Sequence, residues 1–416
     1  MHALGLSAPT YAVLPFALLL LAIAVLPLAA SHWWERNRNK ALVGGLLSLP
    51  IVAYLARSAP GALLHTLVEY VSFVSLLGAL YVVAGGIRVT GDLRATPLTN
   101  VLLLGAGAVL ANVIGTTGAS MVLIRTVLRT NQQRANTGHI PFFFILVVSN
   151  CGGLLTPLGD PPLFIGYLRG VPFTWTLRLF PVWLLAIGYL LTLFYALERR
   201  AYGRERADEL ARDAAQEVPL GVEGLANVGL LALVVGAVFL PTPYREVSML
   251  AVAAASVLLG PKAPRAANAF TWAPIVEVCV LFLGIFVTMV PALAILEARG
   301  GELGVTRPWE FFLTTGVLSS VLDNAPTYLT FLSTAQGLGL GGPVIGVPDL
   351  YLAAISCGAV LMGANTYIGN GPNFMVKAIA DQQEVKTPGF VGYVVRYAVP
   401  FMLPMLLVVW WFFVRS

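Results

Sequence analysis

Three features of the sequence predict an all-α polytopic membrane protein. Apolar runs of roughly eighteen residues or more, almost free of charge, recur from one end to the other. Charged residues make up only 11% of the chain, against about 25% in soluble domains. Two apolar runs are interrupted by stretches rich in Gly, Pro and polar side chains, which lipid does not tolerate unless they line a cavity within the protein. The predicted architecture is two inverted repeats of about five crossings each, with one re-entrant hairpin and one broken helix per repeat.

Hydrophobic residues account for 58% of the sequence, and the formal charge is +5. The basic residues are dispersed through short loops, as the positive-inside bias requires, so the charge speaks for orientation and against a nucleic-acid partner. Cys151, Cys279 and Cys357 lie in apolar segments without metal-ligand spacing, and small core residues are the simplest reading of them. The first apolar run has no basic segment before it, so a retained helix is expected and not a cleaved signal peptide.

In chain order, apolar segments fall at 10–30, 41–56 and 62–86. A fourth, 98–129, is interrupted at Gly115-Thr116-Thr117-Gly118. A fifth, 139–169, is interrupted by Ser149-Asn150-Cys151-Gly152-Gly153-Leu154-Leu155-Thr156-Pro157-Leu158-Gly159-Asp160-Pro161-Pro162, and 177–197 closes the half. Charges of both signs from Glu198 to Glu217 suggest a solvated surface helix. The second half follows the same order: 225–240, 247–259, 272–296, a broken 309–337, a broken 350–380 and 390–414. The implied division is a first membrane repeat over 1–197, a charged cytoplasmic linker over 198–223 and a second repeat over 224–416.

The halves also match residue by residue. At an offset of 208, Val68-Glu69 aligns with Val276-Glu277, and Val109, Leu110 and Val113 with Val317, Leu318 and Val321. At 210, Gly153, Thr156, Gly159, Pro162 and Phe164 align with Gly363, Thr366, Gly369, Pro372 and Phe374. This is the mark of an internal duplication. The interrupted pair in each half, about 30 residues, is too short for two spans of about 20, so a hairpin returning to its own side is expected. Five crossings per half then invert the second half. With the N-terminus outside, 18 of the 25 basic residues fall on the cytoplasmic side, Lys386 among them, and both termini face outward.

Few ionisable groups lie at membrane depth. Asp160 and Asp323 sit in the interruptions, and Glu69 and Glu277 occupy equivalent places in the two halves. A carboxylate out of water is expensive to ionise without a cation beside it, so a proton and a hard cation compete for it. Asp160-Pro161-Pro162 and Asp323-Asn324-Ala325-Pro326 also read as helix starts, with Asn324 the expected cap of the second; capping is the bland alternative for both aspartates. Asn112, Thr116 and Thr117 belong to the first hairpin tip. Asn150 and Thr156 flank the first break, and Asn365, Thr366, Asn370 and Asn373 surround the second. Satisfying freed backbone groups would explain any one of these polar residues; as a set they suggest one site near the midplane. Glu69, with His65 one turn before it, and Glu277, near Trp272, rank below the aspartates.

The stretch Ser149 to Asp160 resembles the S-N-x-G-G-x-x-[ST]-P-[IL]-G-D signature of NhaD-type sodium/proton antiporters, and Asp323-Asn324-Ala325-Pro326 resembles the D-N-x-P motif of the same family. Gly91-Asp92-Leu93-Arg94-Ala95-Thr96-Pro97 and Ile114-Gly115-Thr116-Thr117-Gly118-Ala119-Ser120 are most similar to a citrate transporter or sodium:proton antiporter subgroup of the ion transporter superfamily. The resemblance implies a dimer of inverted repeats, with ion-site roles for Asn150, Thr156, Asp160, Asp323 and Asn324. The chain departs from the antiporters in Pro161-Pro162, and has Asn370 where the repeat would carry a second aspartate.

The expectation is a secondary active transporter of a bacterial inner membrane, exchanging sodium for protons by alternating access. Asp160 and Asp323 would hold sodium transiently and carry the coupled proton, with no other cofactor. Cation-coupled transport of citrate or another carboxylate is the alternative. No nucleophile–base pair, metal motif or phosphate loop argues for an enzyme.

Overall fold

The computed structural model describes residues 8–385 and 387–415, so Lys386, one of the basic residues assigned to the inner face, lies outside the described part. Each expected apolar segment is helical. Seven helices among the described residues are long and apolar enough to cross a bilayer: Thr10–Pro27, Asn37–Ser58, Pro60–Gly85, Pro97–Thr130, Phe173–Tyr202, Ala273–Leu303 and Phe390–Val414. Several open on proline at the first turn (Pro60, Pro97), where its missing N–H costs nothing. Asn37–Ser58 shows how such helices are placed. Ile51 and Leu55 are buried while Leu42, Leu46 and Leu49 stay bare, leaving an apolar face for lipid.

Length alone would make Pro97–Thr130 a single rod of about 51 Å. Instead its ends meet: Asn100 and Asn131 exchange side-chain amide hydrogen bonds, each 2.8 Å long. The chain doubles back at Gly115, whose φ of +76° only glycine adopts without strain; a Cβ there would also lie 3.2 Å from the Leu158 carbonyl oxygen. The second hairpin joins Pro308–Val321 to Asn324–Gly337 through Leu322 and Asp323, and its limbs pack through Phe311 and Phe331, ring centroids 6.2 Å apart.

Both broken helices are present. The first runs from Ile140–Val147 through a short 3₁₀ turn, Cys151–Leu155, to Pro161–Leu168; the second from Asp349–Met362 through Gly363–Asn365 to Gly371–Gln382. Contacts in one half recur at the duplicated positions of the other. Thr156 Oγ1 donates to the Asn112 carbonyl at 2.5 Å, and Thr366 Oγ1 to the Ser320 carbonyl at 2.6 Å. Each break folds its two glycines together: a Cβ on Gly159 would lie 2.1 Å from the Gly153 oxygen, and one on Gly369 2.5 Å from the Gly363 oxygen. Those paired glycines therefore allow a backbone approach that any side chain would block. The bulkiest buried residues cluster around these elements, with Phe143, Phe144, Phe164, Phe311, Tyr328 and Tyr393 essentially inaccessible.

The linker holds the expected exposed helix but departs from expectation on either side of it. The preceding helix continues to Tyr202, a second short helix covers Ala207–Ala215, and Val218–Glu223 forms a strand antiparallel to Arg88–Asp92. Glu198 and Glu205 are not solvated: their side chains are wholly buried against Arg134. Glu198 also accepts from Asn100 Nδ2 at 2.7 Å and pairs with His139 Nε2 at 2.6 Å. A run of mixed charge does not reveal partners 60 to 100 residues away, which is why the sequence suggested a surface.

Candidate functional site

Asp160 is the point on which all four interrupted elements converge. It stands at the start of Pro161–Leu168, and its side chain makes no capping bond to that helix. The reason is local: Pro161 and Pro162 have no N–H, so the nearest donors are missing and the carboxylate is left for other partners. Thr116 Oγ1, at the first hairpin tip, donates to Oδ1 at 3.1 Å. Asn324 Nδ2, at the second hairpin tip, donates to Oδ2 at 2.6 Å. Asn370 Nδ2, from the second break, donates to Oδ1 at 2.9 Å. All four side chains are buried.

The arrangement brings together positions that align between the two halves of the sequence. Thr116 aligns with Asn324 and Asp160 with Asn370, so two equivalent pairs meet at one carboxylate. Around it lies a shell of amides. Asn370 also donates to Asn150 Oδ1 at 3.2 Å and to the Ser149 carbonyl at 3.1 Å. Asn150 Nδ2 donates to Asn373 Oδ1 at 2.6 Å, and Asn373 Nδ2 to the carbonyls of Gly363 and Thr366. Asn324 Oδ1 is buried with no hydrogen-bond partner among the described residues, an idle acceptor beside the carboxylate. No Lys or Arg hydrogen-bonds or pairs with Asp160 among the described residues.

The other residues singled out from sequence divide into two groups. Asn112, Thr156, Asn365 and Thr366 fasten each break to its hairpin: Asn112 Oδ1 accepts the Leu155 N–H at 2.9 Å, and Asn365 Nδ2 donates to Ser320 Oγ at 2.9 Å. Thr117 lines a cavity of about 60 Å³ beside the first tip, shared with Gly115, Thr116 and Pro161, large enough for water. Asp323, half-buried, accepts the Ala325 N–H at 3.0 Å and so caps its own helix, the role expected of Asn324. Glu69 pairs with Arg169 at 2.9 Å and His65 at 3.2 Å, and Glu277 with Lys40 at 2.7 Å. Among the described residues, no hydrogen bond or ion pair joins either glutamate to the Asp160 cluster.

The site also rests on supports that the sequence shows only partly. Ser320 donates to the Met362 carbonyl and anchors the second break; its alignment with Asn112 was the available signal. Trp183 Nε1 donates to the Gly152 carbonyl at 2.9 Å, and Tyr393 Oη to the Ala364 carbonyl at 2.7 Å. These long-range props hold backbone oxygens freed by the breaks, and nothing local announces them.

A buried carboxylate at the meeting of two hairpin tips and two helix breaks, within a bundle of long apolar helices, defines a multi-pass membrane transporter. The chain belongs to the family described as "Putative citrate transport", which matches residues 5–414. The match supports the citrate-transporter side of the resemblance and does not single out the NhaD-type antiporters. A comparison with curated proteins finds no match.

Proposed function

We propose that the protein is a secondary carrier of citrate or a related carboxylate, driven by a cation or proton that binds at Asp160. The observation that carries this reading is the convergence of Thr116, Asn324 and Asn370 on one buried carboxylate. Membership of the citrate transport family supplies the substrate class.

The chemistry follows from what each group can offer. Ionised and empty, the Asp160 carboxylate depends on three donated hydrogen bonds. A proton on it removes the charge. A hard cation replaces those donors with its own charge and draws on nearby oxygens, for which Thr116 Oγ1 and the idle Asn324 Oδ1 are the available ligands. Either ion changes how the two hairpin tips are held to the first break, so ion binding and tip position are linked. Two halves of opposite orientation would then expose the tips alternately to the two sides.

Exchange of sodium for protons without any carboxylate is the second reading. The absence of a basic partner for Asp160 among the described residues favours it, since such a site suits a cation and not an organic anion. Reconstituted protein separates the two. Under the first reading, labelled citrate enters vesicles, and imposed sodium, lithium or proton gradients change its accumulation. Under the second, the same gradients move protons past a pH-sensitive dye while citrate stays out.

A further inference from the structure

A cavity of about 780 Å³ lies between the descending limb of the first hairpin, the β-ribbon, the turn that leads into Ile140 and the segment after Gln382. Arg88, Arg125, Arg129 and Arg134 line it, against one carboxylate, that of Glu384. Two of these cations already have carboxylate partners: Arg134 pairs with Glu198 and Glu205, and Arg88 with Glu223 at 3.3 Å. Arg129 donates from Nε and Nη2 to the carbonyls of Gly91 and Val89, at 2.9 and 3.0 Å, and the nearby Asp92 carboxylate answers part of its charge.

Arg125 is the telling residue. It is half-buried and makes no hydrogen bond or ion pair among the described residues. The nearby Tyr81 phenol gives its proton to the Thr271 carbonyl at 3.0 Å. Arg134 Nη2 is likewise buried without a hydrogen-bond partner among the described residues. Half-burying a cation is costly unless an anion answers it. Arg125 and Arg129 stand one helical turn apart on the same face, and their planar forks suit carboxylate or phosphate oxygens held in pairs. The volume lies within the usual range for small-molecule sites, about 300–1,000 Å³.

We propose that this cavity binds a multivalent carboxylate, with Arg125 and Arg129 as its anchors. Its use as a loading site rests on the carrier reading above: Arg125 lies nine residues from Thr116 on one limb, about 13 Å along the helix. The cavity would gather substrate at one face and deliver it towards the hairpin tip, keeping anion capture apart from ion coupling at Asp160.

The test is citrate binding to the full-length protein in nanodiscs of neutral lipid, measured calorimetrically at low and high salt, with inorganic phosphate as a second probe. The expected result is saturable citrate binding, weakened by salt and reduced tenfold or more in Arg125→Gln, with Arg125→Lys between the two and Gly188→Ala, where a Cβ meets nothing, unchanged. Arg125→Gln must melt within a few degrees of wild type; if it does not, Arg125→Lys alone decides, through a loss of affinity at unchanged melting temperature. Citrate binding that survives both Arg125 substitutions overturns the proposal. Arg125-dependent binding of phosphate without citrate overturns the carboxylate assignment. Arg125-dependent citrate binding in a protein that moves no citrate across vesicles would leave the cavity standing and sink the carrier reading.

Discussion

At the scale of single residues, the two aspartates have opposite tasks. Asp160 is freed from capping by the two prolines behind it and receives three side-chain donors. Asp323 spends its carboxylate on the Ala325 N–H. Asparagine caps a helix about as well as aspartate, so Asp323→Asn should retain most of the transport rate and melt within about 1 kcal/mol of wild type. Loss of transport in that variant, measured in proteoliposomes, would show that the Asp323 charge matters and that the coupling is shared. Asn370→Ala and Asn324→Ala each remove one donor to Asp160. Each should tighten the apparent affinity for the coupled proton by about tenfold, because the ionised, empty carboxylate loses one hydrogen bond to a charged group, read from transport rate against pH. The polar inventory of the site was legible in the sequence, because Asp160, Asn324 and Asn370 interrupt apolar runs. The division of labour was not. It depends on which donors the backbone presents, and that emerges only when the tips and breaks are brought together across more than 160 residues.

At the scale of elements, the hairpin turn and the buried charge cluster are the points to probe. Gly115→Ala forces a Cβ into the left-handed region and towards the Leu158 carbonyl. It should cost about 1–2 kcal/mol and lower the melting temperature, with a larger effect on transport than Gly188→Ala, where a Cβ meets nothing. At the other end of the hairpin, Arg134, Glu198 and Glu205 form a desolvated ion cluster. Arg134→Met strands two buried carboxylates and should destabilise by about 3–5 kcal/mol, measured by thermal unfolding in detergent. Burial pushes the Glu205 carboxyl up, but hydrogen bonds from Asn136 and the Ala135 N–H, with Arg134 alongside, outweigh this and hold it below the usual carboxylate range. A depressed pKa gives stability that is complete above the ordinary carboxylate value, about 4.3, and fades as pH falls through the folded one. Acid should therefore loosen this clasp, and Glu205→Gln should lessen the acid sensitivity of unfolding. Both hairpins and both breaks were predictable, since Gly, Pro and span length signal them. The strand Val218–Glu223 was not; its partner Arg88–Asp92 lies more than 120 residues away, and neither segment alternates strongly enough to declare itself.

At the scale of the whole molecule, interrupted elements of both halves share the Asp160 carboxylate. Equivalent elements meet at the centre, and where they meet one half supplies Asp160 and the other its neutral counterpart, Asn370. A carboxylate held by both tips can tie ion occupancy to tip position. The arginine-lined cavity adds a place of opposite sign at one face, so that anion and coupling ion need not compete for one pocket. The most direct measurement is citrate accumulation in proteoliposomes under imposed sodium and proton gradients, with wild type and Asp160→Asn side by side. Wild type should concentrate citrate under one of these gradients. Asp160→Asn, folded and still able to bind citrate, should lose that accumulation by at least a hundredfold. Gradient-driven accumulation that persists in Asp160→Asn would contradict the assignment of the coupling charge to this residue.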